Sequence, residues 1–447
     1  MKHILFIPLF SLLLSSQAWA EGTQPRLTKD LVHTPAITEI IEAPKLSRKD
    51  HALLHLSLIR DEVDLIQESG FFGSLFTSNS ELEETLRQDL DLFLTIFSDL
   101  DIASEALLLK GQLQVKQGYY KAAVITWLQN LYAFPASDSA IQTRQYLTTL
   151  LENEWSEGVD LIQPIMRNVP NTDQAGRLSK LIIQLYPIND IKITKALTNL
   201  QIDFLKQFPE NRYADDVQVL LAHNLGSVSA ESGVFSFKKL LALYPNSPYQ
   251  AEAMLAIADL QRLRLNAYEK AASNYQTLIK TYPQHPLIKN AYHSLALTYE
   301  EDLKDYVNAI KTYRILVQRY PEDKMALSAL QNMAYIQSKK TSEPGEAIAT
   351  LRKLASMFHG PEAIEALDGA INIAHNKLKN LSLANEIRQQ LVHDYPNSDS
   401  APKALFKMAE YAEEKLQDNV KARQLYQQFI QQYPDEHLLV KKAEKRL

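Results

Sequence analysis

The residues with the spacing of a metal site are two histidines near the start of a predicted helix. His51 and His55 stand four positions apart, which places both imidazoles on the same side of a helix and is the spacing of half a zinc site. No third ligand follows nearby in the sequence. We therefore interpret both as histidines of a helix surface and predict no metal site.

A group of four aspartates is the second candidate for cation chemistry. Asp89, Asp91, Asp99 and Asp101 supply carboxylates, which are the ligands that Ca²⁺ prefers, but they alternate with Leu and Phe and lack the spacing of a calcium loop. The pattern is typical of a solvated helix face, and we interpret it in that way.

Catalytic motifs are absent from the sequence. It has no Gly-rich phosphate loop ending in Gly-Lys-Ser/Thr, no Gly-x-Gly-x-x-Gly, no Gly-x-Ser-x-Gly and no His-Glu-x-x-His. With no cysteine, disulfides and thiolate metal sites are excluded. We predict that the protein is not an enzyme and has no cofactor. The alternative is an unrecognised active site within 50–200, which would require a pocket with convergent polar groups.

The elements that carry these residues are organised by a repeat. Seven aromatic residues recur at steps of 36, 38, 38, 38, 37 and 38, and six of them are followed at once by proline. They are Phe208, Tyr244, Tyr282, Tyr320, Phe358, Tyr395 and Tyr433. A period of this length indicates one supersecondary unit copied many times, and therefore a solenoid.

The unit from Pro283 to Pro321 shows what is repeated. One run with helical spacing includes Ala296, a polar break follows, and a second run includes Ala309 and ends at Tyr320, because proline disfavours helix in the residue before it. This predicts two antiparallel helices. The alanines mark where these helices approach closely, since a methyl group allows a short distance between the axes.

The same skeleton recurs at a constant spacing. A small residue, an alanine, an aromatic and a proline follow one another at steps of 13, 4 and 8 in three copies. The copies are Ala258, Ala271, Tyr275 and Pro283; Ala296, Ala309, Tyr313 and Pro321; and Ala409, Ala422, Tyr426 and Pro434. This pattern resembles the tetratricopeptide repeat, lengthened by a few residues with an addition in the inner turn. Units that end in Tyr-Pro-Asn-Ser resemble periplasmic repeat proteins of Gram-negative bacteria, of the outer-membrane assembly and Tol-Pal-associated types.

The resemblance implies an all-α solenoid of stacked antiparallel helical hairpins that forms a right-handed superhelix with about nine hairpins. Recognition would take place in the groove lined by the first helix of each unit. The lysine and asparagine clamp that some relatives use for a partner's carboxylate is missing. The predicted partner contacts are Asp259, Arg262, Asn290, His293, Gln331, Tyr335, Lys403, Phe406 and Glu410. We expect Tyr335 and Phe406 to be the anchors, because exposed aromatic residues are favoured at interfaces.

The amino-terminal residues have the features of a secretory signal peptide. Lys2 and His3 precede an apolar stretch from Ile4 to Leu14, and small residues flank Trp19 before a predicted cleavage after Ala20. No later segment reaches the ~20 apolar residues of a membrane span. Lipidation at the cleavage site requires cysteine, so we expect no lipid anchor and a periplasmic location. The net charge of -6 argues against nucleic acid as the main partner.

The sequence is divided into six predicted segments. They are a signal peptide (1–20), a flexible leader (21–49), a helical cap (50–97), degenerate repeats (98–209), regular repeats (210–434) and a capping helix (435–447). We expect a periplasmic scaffold or adaptor that binds envelope proteins in envelope assembly, division or polysaccharide export. The alternative is an adaptor of an energised motor of the TonB, Tol or gliding type.

Overall fold

The computed structural model describes residues 46–72 and 79–447, so the predicted signal peptide and most of the predicted leader lie outside the described residues. Within these ranges the chain forms 21 α-helices and no strand. None of the helices in the described part is long and apolar enough to cross a membrane.

The helices are numbered here in chain order. They are α1 (Arg48–Phe72), α2 (Asn79–Phe97), α3 (Ala103–Lys116), α4 (Tyr120–Ala133), α5 (Asp138–Glu154), α6 (Val159–Arg167), α7 (Gln174–Leu185), α8 (Ile191–Gln207), α9 (Ala214–Val228), α10 (Ala230–Leu243), α11 (Gln250–Leu263), α12 (Tyr268–Thr281), α13 (Ile288–Leu297), α14 (Tyr306–Arg319), α15 (Lys324–Lys339), α16 (Pro344–Met357), α17 (Pro361–Asn372), α18 (Leu381–Asp394), α19 (Ala401–Glu414), α20 (Asn419–Gln432) and α21 (His437–Glu444). Two π-helical turns, Thr298–Asp302 and Ile373–Lys377, continue α13 and α17.

The chain divides into two compact units, the first ending at Ala106 and the second beginning at Leu107. In the first unit α1 packs against α2. Its core includes Leu56, Ile59, Leu90 and Phe93, all of which are buried. These side chains lie at helical spacing on one side of each helix, which is why the two helices pair.

In the second unit each helix from α9 to α20 packs against the next helix along the chain. This confirms the predicted all-α solenoid of stacked antiparallel hairpins. The core of the repeats runs continuously from Ala251 to Ala443. Such a core arises because one hairpin cannot bury both of its faces and the neighbouring hairpins cover what remains.

The small residues lie where the sequence places the close contacts between helices. Ala258, Ala271, Ala296 and Ala309 are all completely buried. Ala258 lies on the first helix of one unit and Ala271 on the second helix of that unit. Ala296 and Ala309 are placed in the same way in the next unit. A larger side chain at these positions would hold the two axes apart.

Each second helix of the regular repeats ends at one of the periodic aromatic residues, which serves as its C-cap. In Tyr244, Tyr282 and Tyr320 the backbone leaves the helical region at φ between -135° and -123°, with ψ between 54° and 65°. The carbonyl of Tyr320 then accepts a hydrogen bond from the amide of Asp323, closing a turn over the proline. Proline suits the second position of such a turn because its φ is fixed.

The inner turn of most units contains one residue in the left-handed region. Asn266, Lys304, Ser342, Lys379 and Gln417 have φ between 51° and 57°, and each lies two residues before a second helix. Non-glycine residues rarely adopt this conformation. Its recurrence at steps of 38, 38, 37 and 38 follows the sequence period, so the inner turn is also a repeated element.

One unit has a tighter inner turn. Only Ser229 separates α9 from α10, and its hydroxyl caps α10 by accepting a hydrogen bond from the amide of Ser232. The two helices approach so closely that a Cβ added to Gly233 would lie 2.5 Å from the Cα of Gly226. This short turn accounts for the single step of 36 in the aromatic period.

The degenerate repeats are held by different contacts. The indole of Trp127 occupies the space beside Gly111 and donates a hydrogen bond to the carbonyl of Leu108 (3.2 Å). Arg177 donates to the carbonyl oxygens at the end of α4, including that of Ala133 (3.0 Å). Here an arginine from a later helix satisfies the terminal carbonyls that a regular helix end leaves open.

Candidate functional site

The candidate site is the surface formed by the first helices of the regular repeats, here called the first-helix face and defined by α11, α13, α15, α17 and α19. The predicted contacts divide into three groups on it. Asp259, Arg262, Asn290 and His293 lie on α11 and α13, Gln331 and Tyr335 on α15, and Lys403, Phe406 and Glu410 on α19.

In the first group, Arg262 and Asp259 are bonded to other residues of the chain. The side chain of Arg262 is only 10% exposed, and its guanidinium donates to Asp302 (2.6 Å) and to Glu301 (2.7 Å) of the next unit. Burial lowers the pKa of Arg262, but the neighbouring carboxylates, Asp302 foremost, raise it by more. The pKa of Arg262 is therefore higher than that of an ordinary arginine. Arg262 therefore joins two repeats, and its charge is neutralised within the chain.

Two neighbours of Arg262 are partly buried. Asp259 accepts a hydrogen bond from the hydroxyl of Tyr275 (2.5 Å), and burial raises the pKa of its carboxyl. Burial, and then the charge of Arg262, lower the pKa of His293. Both effects favour the neutral imidazole near neutral pH. Asn290 is also only partly exposed.

The tyrosines of the second helices reach this face through their hydroxyls, which the sequence analysis missed. Tyr313 donates to Glu300 (2.7 Å) and accepts from the amide of Asn332 (2.9 Å) in the next unit. Tyr426 repeats the arrangement with Glu413 (3.0 Å). Burial raises the pKa of both tyrosines. In the sequence, a glutamate 13 residues before each of these tyrosines could have indicated the hydrogen bond.

The second group is open to solvent. Gln331 is exposed, and Tyr335 keeps 50% of its surface accessible. The ammonium of Lys340 lies 5.7 Å from the centre of the Tyr335 ring, within the range of a cation–π contact. An aromatic side chain held beside a cation on a rigid helix is a suitable anchor for a protein partner.

The expectation that Phe406 is an exposed anchor is wrong. Its side chain is 5% exposed and makes edge-to-face contacts with Tyr426 and Phe429, at centroid distances of 5.6 and 5.5 Å. Spacing alone placed it beside Tyr335. Leu255, at the equivalent position of α11, is likewise buried, whereas Gln331 at that position of α15 is exposed.

The third group has two other members. Lys403 is exposed, and Glu410 is paired with Lys407 (2.6 Å) on the same helix. Neither contacts the other predicted residues of α11, α13 and α15 through a hydrogen bond or ion pair in the described part of the chain. The structure thus brings together Asp259, Arg262 and His293, and keeps the group on α19 separate.

The candidates of the amino-terminal unit have structural partners. His55 packs edge-on against Phe93 and Phe97, and burial lowers its pKa. Asp99 accepts from Arg48 (2.6 Å). Asp89 lies beside Glu62. Burial, and then the carboxyl group of Asp89, raise the pKa of Glu62 to about 7. Within residues 46–72 and 79–447 no group of three or more potential ligands is arranged to hold a metal ion.

Two known families match parts of the chain. Residues 222–343 match a family described as outer membrane lipoprotein (YfiO), and residues 403–436 match the tetratricopeptide repeat. These stretches contain all three groups of predicted contacts. The two matches confirm the predicted resemblance to tetratricopeptide-repeat proteins.

Several solved structures are similar to the chain at low sequence identity. A tetratricopeptide repeat protein from Parabacteroides merdae is 14% identical, with a TM-score of 0.34, and the match covers 60% of this chain and 98% of that one. PilW, a type IV pilus biogenesis factor, is 17% identical, with a TM-score of 0.32 and coverage of 52% and 99%. PilF of Pseudomonas aeruginosa is 16% identical, with a TM-score of 0.33 and coverage of 54% and 99%. No curated protein matches the chain.

Proposed function

We propose that this chain, which carries tetratricopeptide repeats, is a periplasmic scaffold that binds other envelope proteins through its first-helix face. The observation that carries the proposal is the half-exposed ring of Tyr335 beside Lys340 on α15. The hairpins on either side of α15 are rigidly packed, so little conformational freedom is lost when a partner covers this ring.

The charges around Tyr335 support a partner with mixed polar and apolar character. Arg262 is neutralised by Glu301 and Asp302, and Glu300 is bonded to Tyr313. Lys340, beside the ring, and Gln331, one helical turn earlier on α15, are both exposed, so their donors can face a partner. An acceptor on the partner would bind these donors while an apolar group covers Tyr335.

The envelope location rests on two further observations. The family that matches residues 222–343 is described as an outer membrane lipoprotein, and the first 20 residues have the pattern of a signal peptide. The 447 residues contain no cysteine, so a lipid has no acceptor thiol in this sequence. In this proposal the scaffold is held at its place of action by its protein partners.

The test compares two aromatic residues that are both exposed. Tyr335→Ala removes the proposed anchor, whereas Phe235→Ala removes a side chain that is 72% exposed on the second helix α10. The tagged chain is purified from cross-linked periplasm of its own source. We expect Tyr335→Ala to weaken partner binding by about 2 kcal/mol, or about thirtyfold in Kd, and Phe235→Ala to leave it unchanged.

Recovery of the same partners with wild type and Tyr335→Ala would contradict the proposed binding face. Recovery of no envelope protein with the wild-type chain would contradict the scaffold function itself. Phe406→Ala is unsuitable here, because removal of a buried ring creates a cavity and weakens folding.

A further inference from the structure

A groove of about 270 Å³ lies between two consecutive second helices of the regular repeats. Its walls are the second helices α12 and α14, and its floor is the intervening first helix α13. Ile279 and Ile315 line the walls, and Leu295 and Tyr299 line the floor. Gln276, Asn308 and Thr312 add polar groups to this apolar and aromatic lining. The size of the groove approaches that of small ligand sites.

The floor of this groove differs from those of its neighbours. One repeat earlier and one repeat later, the position of Tyr299 is occupied by Gln261 and Gln337, whose amides bond across to Asn274 (2.6 Å) and Thr350 (2.8 Å). Those bonds join the two helices of each unit. Tyr299 instead extends to the groove edge, where its hydroxyl accepts from Gln276 (2.7 Å).

The backbone changes at the same place. Tyr299 belongs to the π-helical turn Thr298–Asp302, whereas the helices that carry Gln261 and Gln337 are α-helical there. Single π-helical turns are rare and are frequent at functional sites. Here the turn carries Tyr299, which lines the floor of the groove.

The rim of the groove is cationic. Lys280 on α12 and Lys311 on α14 are both exposed, and neither makes an ion pair with another described residue. In the preceding groove the same positions are Ala242 and Ser273, and in the following one they are Gln318 and Ala349. The lysine pair is thus specific to the groove that has the tyrosine floor.

We propose that this groove binds a protein segment that carries a large apolar side chain flanked by carboxylates. The apolar group would enter between Ile279 and Ile315 and cover the ring of Tyr299. The carboxylates would meet Lys280 on one wall and Lys311 on the other. This is a second binding surface, independent of Tyr335, and it enables the scaffold to hold two partners at once.

The test uses a displayed library of random 12-residue peptides selected on the full chain. We expect the enriched peptides to share a Leu or Phe between Asp or Glu residues. Their affinity, measured by fluorescence anisotropy, should fall about tenfold in the double variant Lys280→Ala with Lys311→Ala, and should decrease as salt is raised.

The matched control removes two exposed lysines that do not line this groove, Lys238→Ala on α10 with Lys270→Ala on α12, so that the change in net charge is the same. This variant and Tyr335→Ala should bind the enriched peptides as wild type does. Lys280→Glu with Lys311→Glu should abolish binding and accept peptides whose acidic residues are replaced by lysine. Enriched peptides without the acidic–apolar pattern, or equal losses in the two lysine variants, would overturn the proposal.

Discussion

At the scale of single residues, the spacing identified which positions repeat but not which of them face solvent. Tyr335 and Phe406 were both predicted as exposed anchors, yet one is half exposed and the other is buried against Tyr426 and Phe429. They occupy different positions of the repeat, one helical turn apart. Phe406 is buried by the second helix of its own hairpin, whereas Gln331, at the same position of α15, is exposed, so the position in the repeat does not by itself determine exposure.

The hydrogen bonds of Tyr313 lead to a prediction about stability. Tyr313→Phe removes the donor to Glu300 and the acceptor for Asn332 while keeping the ring in the core. We expect the free energy of unfolding of the repeat region to fall by about 1–3 kcal/mol, because Glu300 then lacks a partner in a partly buried place. Urea denaturation followed by circular dichroism measures the change.

Tyr320→Phe is the control for that substitution. The hydroxyl of Tyr320 makes no hydrogen bond to another described residue, and the ring, which is partly buried against the core, is kept in the variant. Its removal should change the unfolding free energy by less than about 0.5 kcal/mol. If both variants lose the same amount, the tyrosine–carboxylate bond does not contribute to stability.

At the scale of elements, the sequence predicted the hairpins and their ends well, because each end has a local cause. A proline after Tyr320 stops α14, and completely buried alanines such as Ala296 and Ala309 mark the close contact between helices. The π-helical turn at Thr298–Asp302 was not predicted. It has no motif of its own and depends on contacts with the neighbouring repeats.

The tight turn at Ser229 leads to a second prediction. Gly233→Ala would place a Cβ within 2.5 Å of the Cα of Gly226, a contact that the backbone must move to relieve. We expect destabilisation of about 1–3 kcal/mol from overpacking. Hydrogen exchange should show it as lost protection in α9 and α10, while α19 and α20 stay protected.

Gly345→Ala is the matched glycine substitution. A Cβ at Gly345, near the start of α16, would meet no atom within 4 Å. Alanine is favoured over glycine in helices, so the protein should gain up to about 1 kcal/mol. Destabilisation of equal size at both positions would show that the close approach of Gly226 and Gly233 is not what constrains position 233.

At the scale of the whole molecule, the repeat period was sufficient to predict the solenoid but not its partners. The period appears in the sequence because every unit must present the same alanines and aromatics to the next. Partner binding does not require the same residues in every unit, and the residues beside Tyr335 and Tyr299 differ from one unit to another. We therefore propose binding at the residues that differ between units, such as those around Tyr335 and Tyr299, and not at the residues that every unit shares.

The central claim is that the first-helix face binds envelope proteins, and contact at a defined residue tests it most directly. The photoreactive amino acid p-benzoylphenylalanine is placed at position 335, and for comparison at position 235 on α10. Cells of the source organism are irradiated, and cross-linked products are identified by mass spectrometry. We predict discrete products with envelope proteins from position 335 and none of these from position 235. The same products from both positions, or none from position 335, would contradict the account.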